Sequence, residues 1–486
     1  MGGTLCFDGR TLSVTSYYKV SDGLDKKNIL YNYDNLIDEI WTDRPALPDE
    51  PAFEHEPRFA GLSAAEKLAL VREKMSKYNI ERYLVTALDE VAWLLNIRGN
   101  DIPNNPFVYS YAFITSDLAH IFIPQKKLKS ISTKLMSQGF TLHEYNELPD
   151  FLRKVNGPAL YNRDKMSMDL YTSLPEEFLQ PVDGPGITPE IKSVKTETEL
   201  ANIRNAYIKD GVVLVRLLKW LDETDVSTLT EGDVARQLIK FRNEQSDYLY
   251  DSFPTVAAYG ENAAQAHYNP GEKGVSLAPE GFLLVDTGAQ YLDGTTDTTR
   301  NIVLGPLSEE MKWRYTLVLK GHIALARQIF PAGTESGKLD ILARQYLWDA
   351  GLDYGHGTGH GIGYCLSVHE GPFGIPRTGA GKALVPGVIL SNEPAFYREG
   401  HYGIRLENVL CVKEMFVGDN GKFLGFEPLM YCPFDLRAVK PEMLTPVEQK
   451  YLDEYHKMTY EVISPFLEKE EQEWLKKATA AVGGTR

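Results

Sequence analysis

The chain has 486 residues, too many for one ordinary domain, and its 43% apolar content is enough for two or three real cores. A formal net charge of −16 argues against nucleic acid as a partner, and no apolar run of about 18 residues suggests a membrane span. Four cysteines (Cys6, Cys365, Cys411 and Cys432) lack framework or metal spacing, which fits a reducing, cytoplasmic setting.

The first residues show no basic, apolar and small-residue succession, so a signal peptide is not expected. Residues 1–56 combine a short strand-like piece with polar stretches and a Pro/Glu-rich linker. Their apolar periodicity is too weak for a core, so they should dock on a neighbour or be mobile. An α/β domain follows over 57–185. LSAAEKLALVREKMSKYN reads as a helix ending at Asn79, from its apolar residues at helical spacing. RYLVTALDEVAWLLNIRG reads as strand then helix, with Thr86 to Asp89 as the cap region. SYAFITS and AHIFIP are expected as paired strands, and QKKLKSISTKLMSQG as another helix. Pro185 to Pro189 punctuate the boundary to a domain over 186–486.

This last domain carries the chemistry. Ser193–Glu223 reads as one long amphipathic helix and TEGDVARQLIKFRNEQ as a second. Gly281–Arg300 then reads as a hairpin turning at Asp293-Gly294. Asp286 and Asp297 lie symmetrically about a midpoint between Tyr291 and Leu292, so pairing should set them roughly opposite. Two exposed loop aspartates would be an ordinary finding on their own. Two more helices follow, Glu309–Phe330 and Ser336–Ala350, and then GHGTGHGIGYCLSVHEG with His356, His360 and His369. Val388–Val412 repeats the hairpin, with Glu393 and Glu407 each seven residues from Gly400. The repeated order suggests an internal duplication. Thr445–Lys477 is expected as a terminal helix with a solvated charged face, ahead of a frayed end.

Charges that interrupt buried strands are costly unless something pairs them. Four carboxylates and one imidazole suit two divalent cations such as Mn, Co, Fe or Zn, whose charge they cancel with room for a bridging hydroxide.

These motifs resemble the pita-bread metallopeptidase family and, within it, the aminopeptidases P (Xaa-Pro aminopeptidases), from roughly Asn35 to the C-terminus. The resemblance implies an α/β (α+β) chain. A pita-bread catalytic domain is preceded by a creatinase-N-terminal-like domain, which TALDEVAWLLNIRGNDIPNNPFVYSYAFI matches closely. Residues 1–56 would be the end of a first domain whose bulk is absent, plus a linker. By position in the family's motifs, Asp286 would hold one metal, His360 with Glu393 the other, and Asp297 and Glu407 would bridge both. Glu393 would also act as general base and acid. His267, in AAQAHYNP, and His369 would face the substrate carbonyl, His356 the proline side, and Arg405 would stand behind the carboxylates. The implied reaction is release of the N-terminal residue from peptides with proline second, with two divalent ions, Mn2+ expected and Co2+, Zn2+ or Fe2+ as alternatives, by a cytoplasmic homodimer. The rivals are a prolidase, confined to Xaa-Pro dipeptides, and a metal-free binding protein of the same fold. Relatives without metal lack the full five-ligand set, and methionine aminopeptidases lack the middle domain.

Overall fold

The structure is a computed structural model that describes residues 3–25, 28–33, 35–129, 131–175, 179–181 and 186–483. Pro185 and the last three residues, both subjects of expectations above, lie outside the described residues. The chain divides into two units, Met1–Lys192 and Ser193–Arg486.

In the first unit, helix Ala64–Lys77 starts at a capping box in which Ser63 and Glu66 satisfy each other's backbone N–H groups, and it buries Leu68, Val71 and Met75. A six-stranded mixed sheet is ordered Leu179–Pro181, Ala159–Tyr161, Arg82–Val85, Tyr111–Thr115, Ala119–Phe122, Thr141–His143. Tyr111–Thr115 and Ala119–Phe122 form the expected antiparallel pair. Helix Leu88–Leu95 begins within the expected Thr86–Asp89 cap region, but its N-cap is Ala87, which makes no side-chain cap bond. Thr86 Oγ1 instead donates to the Lys165 carbonyl at 2.8 Å, a tertiary partner that competes for the hydroxyl. The helix expected over QKKLKSISTKLMSQG is broken into a 3-10 turn, Gln125–Leu128, and a short helix, Ser132–Ser137. Within that turn Lys127 is buried in an ion pair with Asp101, a tertiary contact that outweighs helical propensity. Near the start of the chain, strands Thr4–Phe7 and Ile29–Asn32 pair in parallel. Val14, Phe7 and Tyr17 pack with Leu84, Phe113 and Tyr161, so this segment shares a core and has none of its own.

In the second unit, helix Glu197–Glu223 begins at the Thr196/Glu199 capping box, which leaves Ser193–Lys195 outside it. Its inner face buries Leu200, Ile203, Tyr207 and Leu217 with Leu283, Val285 and Val409. Helix Glu231–Arg242 follows, capped by Thr230. The three-stranded sheet Val256–Tyr259, Phe282–Thr287, Thr298–Val303 completes the first half. Helices Glu309–Ala326 and Asp340–Asp349 open the second half. The former stops short of the expected Phe330, which pairs with Leu424 as a strand residue. A six-stranded sheet then includes Gly359–Gly361, Ile389–Asn392, Asn408–Gly418 and Gly421–Pro428, beside the ribbon Ala395–Arg398 with Tyr402–Arg405. The terminal helix is two, Pro446–Ile463 and Lys469–Ala478, separated at Ser464-Pro465 because proline cannot continue the hydrogen-bond ladder.

Candidate metal centre

The first hairpin departs from the expected register. Asp286 pairs with Thr299, Thr287 with Thr298, and beyond Gly288 the ladder resumes as Gln290 with Thr295 and Tyr291 with Gly294. The turn therefore centres between Leu292 and Asp293, one residue later than local symmetry suggested. Asp297 lies diagonal to Asp286 across the hairpin, still within reach on the same face. Gly288 permits this closure, because a Cβ there would sit 2.0 Å from the Thr296 carbonyl.

In the second hairpin the expected register holds. Asn392 pairs with Asn408 and Ala395 with Arg405, which brackets Glu393 and Glu407 about Gly400. The two glutamates occupy the gap between ladders and bond elsewhere. The Glu393 N–H donates to the Thr358 carbonyl at 2.8 Å, and the Glu407 N–H to the Thr299 carbonyl at 3.1 Å. The second of these bonds stitches the two hairpins together. Gly359, ahead of His360, packs so closely that a Cβ would lie 2.0 Å from the Ser391 carbonyl.

All nine residues singled out from the sequence line one cavity of about 470 Å³: Asp286, Asp297, His360, Glu393 and Glu407, with His267, His356, His369 and Arg405. Asp297, His360 and Glu407 offer ligand atoms all within 4.8 Å of one another. His360 Nε2 lies 3.3 Å from Asp297 Oδ2 and 3.6 Å from Glu393 Oε1. Its Nδ1–H donates to the Gly361 carbonyl at 2.9 Å, so Nε2 is the nitrogen that faces the carboxylates and would be offered to a metal. Asp286 stands apart from this cluster, with Oδ2 held by Arg405 Nη2 at 2.6 Å.

The electrostatics are those of crowded carboxylates. Burial, followed by the neighbouring Asp286 and Glu393 charges, pushes Asp297 up to about 7 against the His360 contact. Burial and then Asp297 hold Glu407 well above the usual carboxylate range. Burial draws His360 down, but Asp297 and Glu393 together outweigh it and take the imidazole up to about 9. These residues fit divalent cations. The donors are acceptor-only oxygens and one oriented imidazole, and Asp286 Oδ1 is buried with no hydrogen-bond partner among the described residues.

Around the carboxylates, burial and then His360 take His369 down to about 4, so it is neutral at physiological pH. His356, expected on the proline side, lines the cavity with both ring nitrogens hydrogen-bonded. Its Nδ1–H donates to the Gly357 carbonyl at 2.8 Å and its Nε2 accepts from the Tyr397 hydroxyl at 3.0 Å, so both nitrogens are engaged. The hydroxyl of Tyr397 in turn accepts from Arg405 Nη1 at 2.6 Å. Sequence reasoning missed Tyr397, although a period of two from Glu393 places it on the carboxylate face of its strand. Thr299 was missed as well. Its hydroxyl donates to Glu407 Oε2 at 2.7 Å and accepts from Arg405 Nε at 3.2 Å.

Comparison with known proteins identifies the family. Residues 201–414 match metallopeptidase family M24, residues 43–199 the creatinase/prolidase N-terminal domain, and residues 422–482 the C-terminal region of peptidase M24. A probable Xaa-Pro aminopeptidase P of Fusarium vanettenii is 39% identical over 482 residues, covering 92% of this chain and 77% of the relative. Xaa-Pro aminopeptidase 1 of Dictyostelium discoideum is 36% identical over 493 residues, covering 96% and 78%. Among solved structures, the X-prolyl aminopeptidase of Caenorhabditis elegans, described as a cytosolic enzyme with a di-nuclear active site, superposes with a TM-score of 0.93 at 33% identity. That match covers 99% of this chain and 81% of the nematode chain. The two-half architecture, the convergent acid residues and these matches together make the chain a member of metallopeptidase family M24, grouped with the Xaa-Pro aminopeptidases.

Proposed function

We infer that this chain is a dinuclear-metal aminopeptidase that releases the N-terminal residue from peptides with proline in second position. The observation that carries the reading is the convergence of Asp297, Glu407 and Glu393 on His360 Nε2, with Asp286 Oδ1 left unpartnered beside them. Asp286 and Asp297 would hold one ion, His360 and Glu393 the other, with Asp297 and Glu407 shared. An oxygen-rich set with a single imidazole suits Mn2+ best, with Co2+, Zn2+ and Fe2+ as competitors. When bound, the ions supply Lewis-acid polarisation of the scissile carbonyl and a lowered pKa for the attacking water.

The remaining steps belong to the side chains. Ser391 Oγ donates to Glu393 Oε1 at 3.1 Å and so orients the carboxylate that receives the water's proton. The scissile Xaa-Pro bond is a tertiary amide whose nitrogen carries no hydrogen, and Glu393 returns the water's proton to that nitrogen so that proline leaves as a secondary amine. Neutral His369, packed edge-on against His360 with ring centroids 4.2 Å apart, donates to the carbonyl oxygen as it becomes anionic. His267, on the same cavity wall, supplies a second donor. His356 acts through Tyr397: the two rings form a wall for the prolyl ring, and Arg405 fixes the pair. Phe253 and Val256 add apolar surface to the same cavity.

The cytoplasm is the proposed setting, as described for the nematode relative. A homodimer is the proposed assembly; the exposed Phe416 and Val417 offer apolar surface for it, and a monomeric mass by light scattering would refute it. A peptide panel tests the reaction. Xaa-Pro-Yaa tripeptides should be cut after the first residue, with Xaa-Ala-Yaa controls largely intact. Turnover restricted to Xaa-Pro dipeptides would make the enzyme a prolidase instead.

A further inference from the structure

Behind the first hairpin, on the side away from the cavity, lies a buried ion network that the proposed chemistry does not use. Arg242, fully buried at the end of its helix, donates from Nε to Asp210 Oδ1 at 3.0 Å and from Nη1 to Asp251 Oδ1 at 2.8 Å. Asp210 comes from the neighbouring helix, and its side chain is equally inaccessible. Apolar side chains of the same size commonly serve a core as well as such a triad does, so its presence calls for a reason other than stability.

The reason lies in what else the network touches. Arg242 Nη1 also donates to Thr287 Oγ1 at 2.9 Å. Asp210 Oδ2 accepts from Thr296 Oγ1 at 2.8 Å, and Oδ1 accepts from the Tyr291 hydroxyl at 3.2 Å. Thr287 directly follows Asp286, and Thr296 directly precedes Asp297. Side chains of adjacent strand residues point to opposite faces, so a grip on Thr287 behind the sheet sets where Asp286 stands in front of it. The hairpin needs such a grip because its ladder is interrupted at Gly288, between the two aspartates.

We propose that Arg242 and Asp210 are positioning residues whose triad clamps Thr287 and Thr296 and thereby fixes the separation of Asp286 and Asp297 for two ions. The inference rests on the dinuclear reading above, and the experiment separates the two. Mn2+ alone is titrated calorimetrically into metal-free wild type, Thr287→Val, Thr296→Val, Thr287→Ser and a core control, Leu200→Ala, with folding checked by circular dichroism and thermal melting. Wild type should bind two ions. Both valine variants should stay folded and lose about 10- to 100-fold in affinity for the weaker ion, and the serine variant should recover it. The core control should lower Tm and leave affinity unchanged. Fewer than two ions on wild type would overturn the dinuclear reading itself. Two ions on wild type with unaltered affinity in both valine variants would overturn the clamp, as would an equal loss of affinity in Leu200→Ala.

Discussion

The two hairpins bring paired carboxylates together by different means. In the first, the turn is buried: Asp293 is 2% exposed and is held by Asn205 at 2.6 Å and Lys209 at 2.9 Å, both from helix Glu197–Glu223. In the second, the turn at Glu399, Gly400 and His401 is exposed, and Gly400 takes the left-handed conformation at φ 70° with nothing within 4 Å of a Cβ. The second hairpin keeps one register on both sides of the gap that holds its glutamates, which lie equidistant from the turn. The first obeys the helices that cover it, and its aspartates end up diagonal. Local symmetry is a sound guide to geometry only where tertiary contacts leave the turn alone.

Substitutions can break this comparison or sharpen it. The largest effect is expected at Asp297, the carboxylate of the covered hairpin proposed to be shared by both ions. Asp297→Asn should cost at least one ion and roughly 10³-fold or more in kcat/KM. Metal analysis with steady-state kinetics reads both, and full metal content would remove Asp297 from the ligand set. His369→Ala comes next. It touches neither hairpin's ladder, so both ions should stay while kcat falls by about 10²–10³-fold. Loss of metal in that variant would reassign His369 to a ligand.

Turn substitutions address the difference itself. Asp293→Ala strips the covered turn of its partners for Lys209 and Asn205 and should destabilise the unit by about 3 kcal/mol in urea unfolding. A change under about 0.5 kcal/mol would show that the turn is not what sets the register. Tyr397→Phe removes the hydroxyl that joins His356 to Arg405 in the second hairpin. A loss of about 10-fold in kcat/KM, carried mainly by KM for the Xaa-Pro substrate, is expected. An unchanged KM would detach Tyr397 from substrate recognition. The smallest effect should come from Gly400→Ala, about 1 kcal/mol of stability from the left-handed backbone and no change in turnover. Impaired turnover there would mean that the exposed turn reports directly to the site.

Much of the site was legible in the chain because its chemistry lies close in sequence. Charges placed inside apolar strands at Glu393 and Glu407, equidistant from a turn glycine, state their pairing through the strand period alone. The capping boxes at Ser63, Thr196 and Thr230 likewise rest on residues three apart, and helices begin there for that local reason. What the sequence by itself determined was therefore the alternation of helices and hairpins and the pairing of four carboxylates around a Gly/His segment, while His267 and Arg405 were reached through the family resemblance. Tertiary structure alone decided the register of the first hairpin, the engagement of both His356 nitrogens, and the bond from the Thr86 hydroxyl to the Lys165 carbonyl. The physical reason is the same in each case. A polar atom takes the partner that the fold brings within reach, and partners distant in the chain leave no mark on the local pattern.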